Sequence, residues 1–128
     1  MTPMARTHAF LRERAMLIAK TEYWKHYAKV RVDLWGFIDT IALDPAPGAV
    51  SRVLAIQSTT HDHHSHRVAK ILEHKNTLTV LRHVEVEVWS WGKQGPRGKP
   101  KTWTLRRTGF SFRGKRIISF DCTDSPLQ

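Results

Sequence analysis

The residues best suited to chemistry lie in the stretch 31–59, RVDLWGFIDTIALDPAPGAVSRVLAIQST. Asp39 stands among Phe37, Ile38, Ile41 and Leu43. A carboxylate in such a run is costly unless it is paired, hydrogen-bonded or bound to metal. A Pro/Gly turn follows. A second apolar run, Val53-Leu54-Ala55-Ile56, then ends in Gln57, Ser58 and Thr59. An acid in one strand beside polar groups at the end of its hairpin partner is a way for a small sheet to hold a divalent cation. The plain alternative for Asp39 is a salt bridge to one of the many arginines.

Three further groups carry possible chemistry. Asp33 precedes Asp39 by six residues, which a straight strand would stretch to ~20 Å. Only a turn or bulge at Gly36 would let the two share one ion. Otherwise Asp33 is an exposed acid paired with Arg31 or Arg52, or one facing nucleic acid. His61, His63, His64 and His66 crowd around Asp62. Structural zinc sites draw ligands from separated segments, and no second His/Cys group completes a tetrahedron here. The histidines are expected on a polar connection that touches phosphate, and one of them could take part in proton transfer. The third group is the segment 92–101, GKQGPRGKPK, with Lys93, Arg97, Lys99 and Lys101 on a Gly/Pro-rich loop beside Trp89, Trp91 and Trp103. Cations on such a loop suit phosphate contact; the tryptophans suit either base stacking or core packing.

These residues must be positioned by surrounding elements. Apolar spacing predicts a helix over 8–28, with Glu22 at the edge of its buried face. Residues 29–43 read as strand, bend, strand, with Asp39 inside the second strand. The turn signal at 44–48 leads to a strand over 51–58 whose apolar run implies burial on both faces. A helix carrying Arg67 and Lys70 outward follows, and then a short helical turn from Asn76 through Leu81. Residues 84–91 alternate strictly, with Val84, Val86 and Val88 on one face and Glu85, Glu87, Trp89 and Trp91 on the other. A strand over 102–107 and a hairpin about Arg113-Gly114, pairing 110–112 with 117–120, complete the order. This predicts an α/β fold, a mixed sheet with helices packed on it. The segment 121–128 reads as a flexible tail of one domain spanning 1–128.

The 128 residues suit a single core. Apolar residues make up 41%, too many for a disordered chain. Twenty-one Lys and Arg against 11 Asp and Glu give a net charge of +10, the footprint of a nucleic-acid binder. The charge is spread over strands and loops and not along one amphipathic helix, which argues against a membrane surface. No run approaches a membrane span, and no apolar signal core is evident. The single cysteine, Cys122, excludes an internal disulfide and fits a reducing cytoplasm, a host's if the chain is phage-encoded.

Asp39-Thr40-Ile41-Ala42-Leu43, preceded by the acid Glu22 and followed by a hairpin to a second apolar strand, resembles the core of PD-(D/E)XK nucleases. The likeness is greatest to archaeal Holliday-junction resolvases and related small phage proteins, and covers roughly residues 10–75. It implies a restriction-endonuclease-like mixed sheet flanked by helices. It implies a Mg²⁺- or Mn²⁺-dependent endonuclease cutting branched or duplex DNA as a homodimer. In that reading Glu22, Asp39, Gln57 and Thr59 hold the catalytic positions. Asp39, Glu22, Gln57 and the Ser58 carbonyl surround the metal. Asp33, His61, His63, His64, Arg67, Lys70, Lys93, Arg97, Lys99 and Lys101 face the nucleic acid. The chain departs from the pattern where the second strand should end Glu-X-Lys: it has Gln57-Ser58-Thr59. A glutamine adds no charge and a threonine cannot serve as the cationic group. Two outcomes stay open, an enzyme with substituted ligands or a DNA-binding protein that has lost catalysis.

Overall fold

The computed structural model describes residues 1–45 and 52–127. Helix α1 (Pro3–Glu13) opens the chain, followed by strands β1 (Leu17–Lys20), β2 (Tyr23–Lys25), β3 (Val30–Val32), β4 (Thr40–Leu43) and β5 (Val53–Thr60). A short helical turn (His61–His63) leads into α2 (His64–Glu73) and α3 (Thr77–Leu81). Strands β6 (Glu85–Gln94), β7 (Thr102–Arg113) and β8 (Arg116–Asp121) close it. Part of the turn expected at 44–48 and the first residue of the strand expected over 51–58 lie outside the described residues.

Six strands form one mixed sheet in the order β1-β4-β5-β6-β7-β8, while β2 and β3 pair separately. Strands β5 and β6 are parallel; all other neighbours are antiparallel. Parallel strands need a crossover, and α2 with α3 supplies it. The alternation of β6 is as expected. Val86 and Val88 join Phe37, Ile38, Ala55, Ile71, Val80 and Phe110 in a core beneath α2 and α3. Trp89 and Trp91 join Leu11, Met16, Ala42, Leu54 and Ile56 beneath α1. Each fully buried Val, Leu, Ile or Phe among them contributes about 1.5–3 kcal/mol. The β7–β8 hairpin also has the expected register, Phe110 opposite Ser119 and Phe112 opposite Ile117.

The helix expected over 8–28 is corrected. It begins at Pro3, with the Thr2 hydroxyl accepting from the Ala5 N–H at 3.1 Å. It ends at Glu13. Ala15 adopts φ 57°, the Met16 N–H reaches the Leu11 carbonyl and the Ala15 N–H that of Arg12. That is a Schellman stop with alanine where glycine is usual. Met16 and Leu11 then meet in the same core, the apolar contact that accompanies this motif.

The tail is tied down through Leu127. The Arg107 guanidinium donates to the Ser125 carbonyl at 2.6 Å, and Arg52 to that of Leu127 at 2.7 Å. Both arginines also meet Glu87, Arg107 Nε at 2.8 Å and Arg52 Nη2 at 3.3 Å. Among the described residues no helix is long and apolar enough to cross a membrane.

Candidate active site

The site starts from a tight turn. Leu34 and Ile38 pair with each other, and Trp35 and Gly36 between them have φ 56° and 95°. A Cβ on Gly36 would lie 2.5 Å from the His74 ring, so the turn demands glycine. One residue beyond the Leu34–Ile38 pair on either side are Asp33 and Asp39. The turn at Gly36 thus folds Asp33 back toward Asp39, which feels its charge.

Asp39 stands immediately before β4 and not within it, although its N–H continues the ladder to the Ile56 carbonyl at 3.0 Å. It is 3% exposed. Among the described residues no arginine pairs with it. Its carboxylate instead accepts from the Ser58 N–H at 2.6 Å, the Thr40 hydroxyl at 2.9 Å, the Gln57 amide at 3.2 Å and the Ser58 hydroxyl at 3.3 Å. Burial pushes its pKa up to about 7. The Ser58 N–H and the hydroxyls of Thr40 and Ser58 resist that shift, and the Asp33 charge adds to it. Asp33 is also raised, by burial and then by Glu22, while Arg67, Lys70 and a hydrogen bond from Gln57 pull it down. It forms no ion pair with Arg31 or Arg52, which go to Glu22 and to Glu85 and Glu87.

Gln57 is the pivot. It lies on β5, buried, on the face toward α2. Its amide nitrogen is 3.2 Å from Asp39 Oδ2 and 3.4 Å from the Ser58 carbonyl oxygen, and the side chain also hydrogen-bonds Asp33. A donor thus stands among oxygens from two carboxylates and a carbonyl. Half a turn of the amide would present its oxygen in place of its nitrogen. The donor set is then all oxygen and doubly acidic, which fits a hard divalent cation held by one or two carboxylates and completed by phosphate or water. Asp33, Asp39, Gln57 and the Ser58 carbonyl could hold it. Among the described residues no group of three or more His, Cys, Asp or Glu side chains gathers as a metal cluster.

From the opposite face α1 braces the same strand end. The Thr7 hydroxyl accepts from Ser58 Oγ at 2.9 Å and from the Trp91 indole at 3.0 Å, and the His8 ring meets the Thr40 hydroxyl at 2.8 Å.

Several expected residues stand elsewhere. Glu22 is on no helix. It lies between β1 and β2, with its carboxylate 3.0 Å from Arg31 and 3.8 Å from Lys20. It reaches the site as a charge on Asp33. Thr59 is buried at 6% exposure, opposite Ser90 in β6, and offers no cation. The cations whose charge reaches Asp33 are instead Arg67 and Lys70 on α2, expected only as nucleic-acid contacts.

The histidines divide. His64, expected to meet nucleic acid, is 1% exposed, and its two ring nitrogens lie 2.5 Å from Ser90 Oγ and 2.6 Å from Thr108 Oγ1. Burial, then the charges of Arg106 and His61, lower its pKa to about 4. It is a neutral core bridge that no phosphate can touch. His61 packs against Gly92, where a Cβ would lie 2.3 Å from the ring, so the approach requires glycine. His63 and His66 are exposed. The loop expected over 92–101 is shorter: residues 92–94 continue β6, where Lys93 pairs with Trp103 and lies 5.5 Å from the centre of its ring, while Arg97, Lys99 and Lys101 are exposed. Because β5 and β6 run parallel, this loop leaves the sheet in the direction in which β5 ends, six residues along β6 beyond Val88, the partner of Gln57. Trp89 and Trp91 are core residues, while Trp103 is 46% exposed beneath the Arg6 guanidinium.

Comparison with family models, with curated proteins and with solved structures gives no match.

Proposed function

We propose that this chain is a metal-dependent endonuclease of the PD-(D/E)XK type acting on DNA, with its ligand set redrawn. The observation that carries the reading is the Gln57 amide standing among the oxygens of Asp39, Ser58 and Asp33. The order helix, strand, two antiparallel strands, crossover helix and parallel strand, met here in α1, β1, β4, β5, α2 and β6, supports a restriction-endonuclease-like sheet. The net charge of +10 and the basic loop between β6 and β7 support a phosphate backbone as partner.

Asp33 and Asp39 would be the carboxylate ligands, with Gln57 and the Ser58 carbonyl beside them. Asp33 thereby takes the place first given to Glu22. A bound Mg²⁺ or Mn²⁺ would polarise the scissile phosphate and lower the pKa of a water. The protein's own part is to hold both acids against their repulsion, with Arg67 and Lys70 as the positive groups that Thr59 cannot provide. Those two cations also draw a phosphate toward the acids. Two-fold pairing of chains would place two such sites on a symmetric junction.

A binding protein without catalysis is the second reading. It is favoured by the neutral Gln57-Ser58-Thr59 triplet and by the engagement of Glu22 with Arg31 and Lys20. Incubation of four-way junctions and duplexes with Mg²⁺ or Mn²⁺ decides between them. Cleavage abolished in both Asp39→Asn and Asp33→Asn supports the nuclease. Tight binding with no cleavage supports the second reading, and cleavage that survives Asp39→Asn rejects the site.

A further inference from the structure

Strands β2 and β3 leave the main sheet and form a hairpin of their own. Its ten residues, YWKHYAKVRV, include Lys25, Lys29 and Arg31 and no acid. Trp24 pairs across the hairpin with Arg31 on one face; Tyr23 and Lys25 pair with Val32 and Val30 on the other. Tyr27, at the tip, is 87% exposed, Tyr23 54% and Trp24 48%. The Lys25 ammonium lies 5.9 Å from the centre of the Tyr27 ring. A lone two-stranded hairpin is marginal in water, and three large rings left in solvent add nothing to its folding.

Exposed rings set among Lys25, Lys29 and Arg31, the last held by Glu22 at the root of the hairpin, match the needs of unpaired nucleotides. Bases stack on the rings while the phosphates meet the ammonium groups of Lys25 and Lys29. A continuous duplex keeps its base faces inside its own stack and gains little from a ring at a hairpin tip. The placement adds to this. Asp33 directly follows the second strand of the hairpin, so one end of the hairpin's root adjoins the acid site.

We propose that the β2–β3 hairpin is a stacking platform that captures unpaired bases of a nucleic acid beside the Asp33–Asp39 site. The substrate class is then single-stranded, flapped or branched nucleic acid and not continuous duplex. The inference deepens the nuclease reading, but the binding it describes needs neither metal nor cleavage.

The test is fluorescence anisotropy of the full chain in EDTA at fixed salt, on a labelled oligothymidylate and on a blunt duplex of equal length. Trp24→Ala with Tyr27→Ala should weaken binding to the single strand by about 30-fold and to the duplex by less than about threefold. Trp24→Phe with Tyr27→Phe keeps the stacking faces and should restore most of the affinity. Equal losses on the two probes, or an unchanged single-strand affinity, overturn the platform and leave the nuclease reading standing. Absence of binding to either probe by the unaltered chain overturns both.

Discussion

Asp39→Asn should reverse the sign of a stability difference between acid and alkaline pH. In the folded chain the Asp39 carboxyl titrates near 7, raised from 3.8 mainly by burial. Between pH ~4 and ~7 the folded protein therefore holds a proton that the unfolded chain has released. Stability must fall as pH rises through that window and level off above it. The gap from 3.8 to about 7 corresponds to about 4 kcal/mol. Asparagine removes this ionisation but turns an –NH₂ toward some of the four donors that Asp39 accepts from, at a cost of about 1–3 kcal/mol. The unaltered chain should then be the more stable below pH 5 and the variant the more stable above pH 8. At roughly 4 °C per kcal/mol for a chain of this size, the two Tm curves separate by several degrees on either side and cross between. Thermal unfolding followed by circular dichroism over that range reads the crossing directly. Mn²⁺ at pH 8 should raise the Tm of the unaltered chain and leave the variant unmoved. Parallel curves would refute the account of Asp39 as a carboxyl held protonated in the metal-free fold.

Two other outcomes follow from the same geometry. Gln57→Glu brings a third carboxylate against Asp33 and Asp39, so calorimetry should show Mn²⁺ binding strengthened by about tenfold or more, while the metal-free variant loses Tm at pH 8 and regains it at pH 5. Replacing Lys93, Arg97, Lys99 and Lys101 together by alanine should reduce the salt dependence of duplex binding by up to about 3–4 in log–log slope, and an unchanged slope would remove the loop from the interface.

The strands whose burial is set by period two were legible because a single parity decides everything. Val84, Val86 and Val88 face one core and Trp89 and Trp91 the other, and no local chemistry competes with that pattern. The long helix failed for a local reason. Phe10, Leu17 and Trp24 recur at helical spacing, yet the chain stops at Glu13 because Ala15 accepts a left-handed backbone that usually announces itself with glycine. The signal that was present, Thr2 followed by Pro3 at the other end, marks where the helix begins. His64 misled for a different reason. Composition makes a histidine in a polar run look solvated, and only the crossing of α2 over Ser90 and Thr108 buries it.

Asp33 shows how a site can be half written in a sequence. Its distance from Asp39 along a straight strand is prohibitive, and the only hint against that was Gly36. The structure uses two left-handed residues in succession, Trp35 and Gly36, and the reversal converts a separation of six residues into adjacency. Once adjacent, the two acids repel, and the fold answers with Gln57 between them and with Arg67 and Lys70 brought over by α2. A glutamine that looked like a lost ligand when read against Glu-X-Lys is, in this setting, a neutral donor that lets two carboxyls coexist in a metal-free fold. The same amide, turned over, offers an oxygen to a cation. Substituting glutamate there would trade that tolerance for affinity, and so Gln57, more than Thr59, is the residue on which the proposed cation binding and stability would pull in opposite directions.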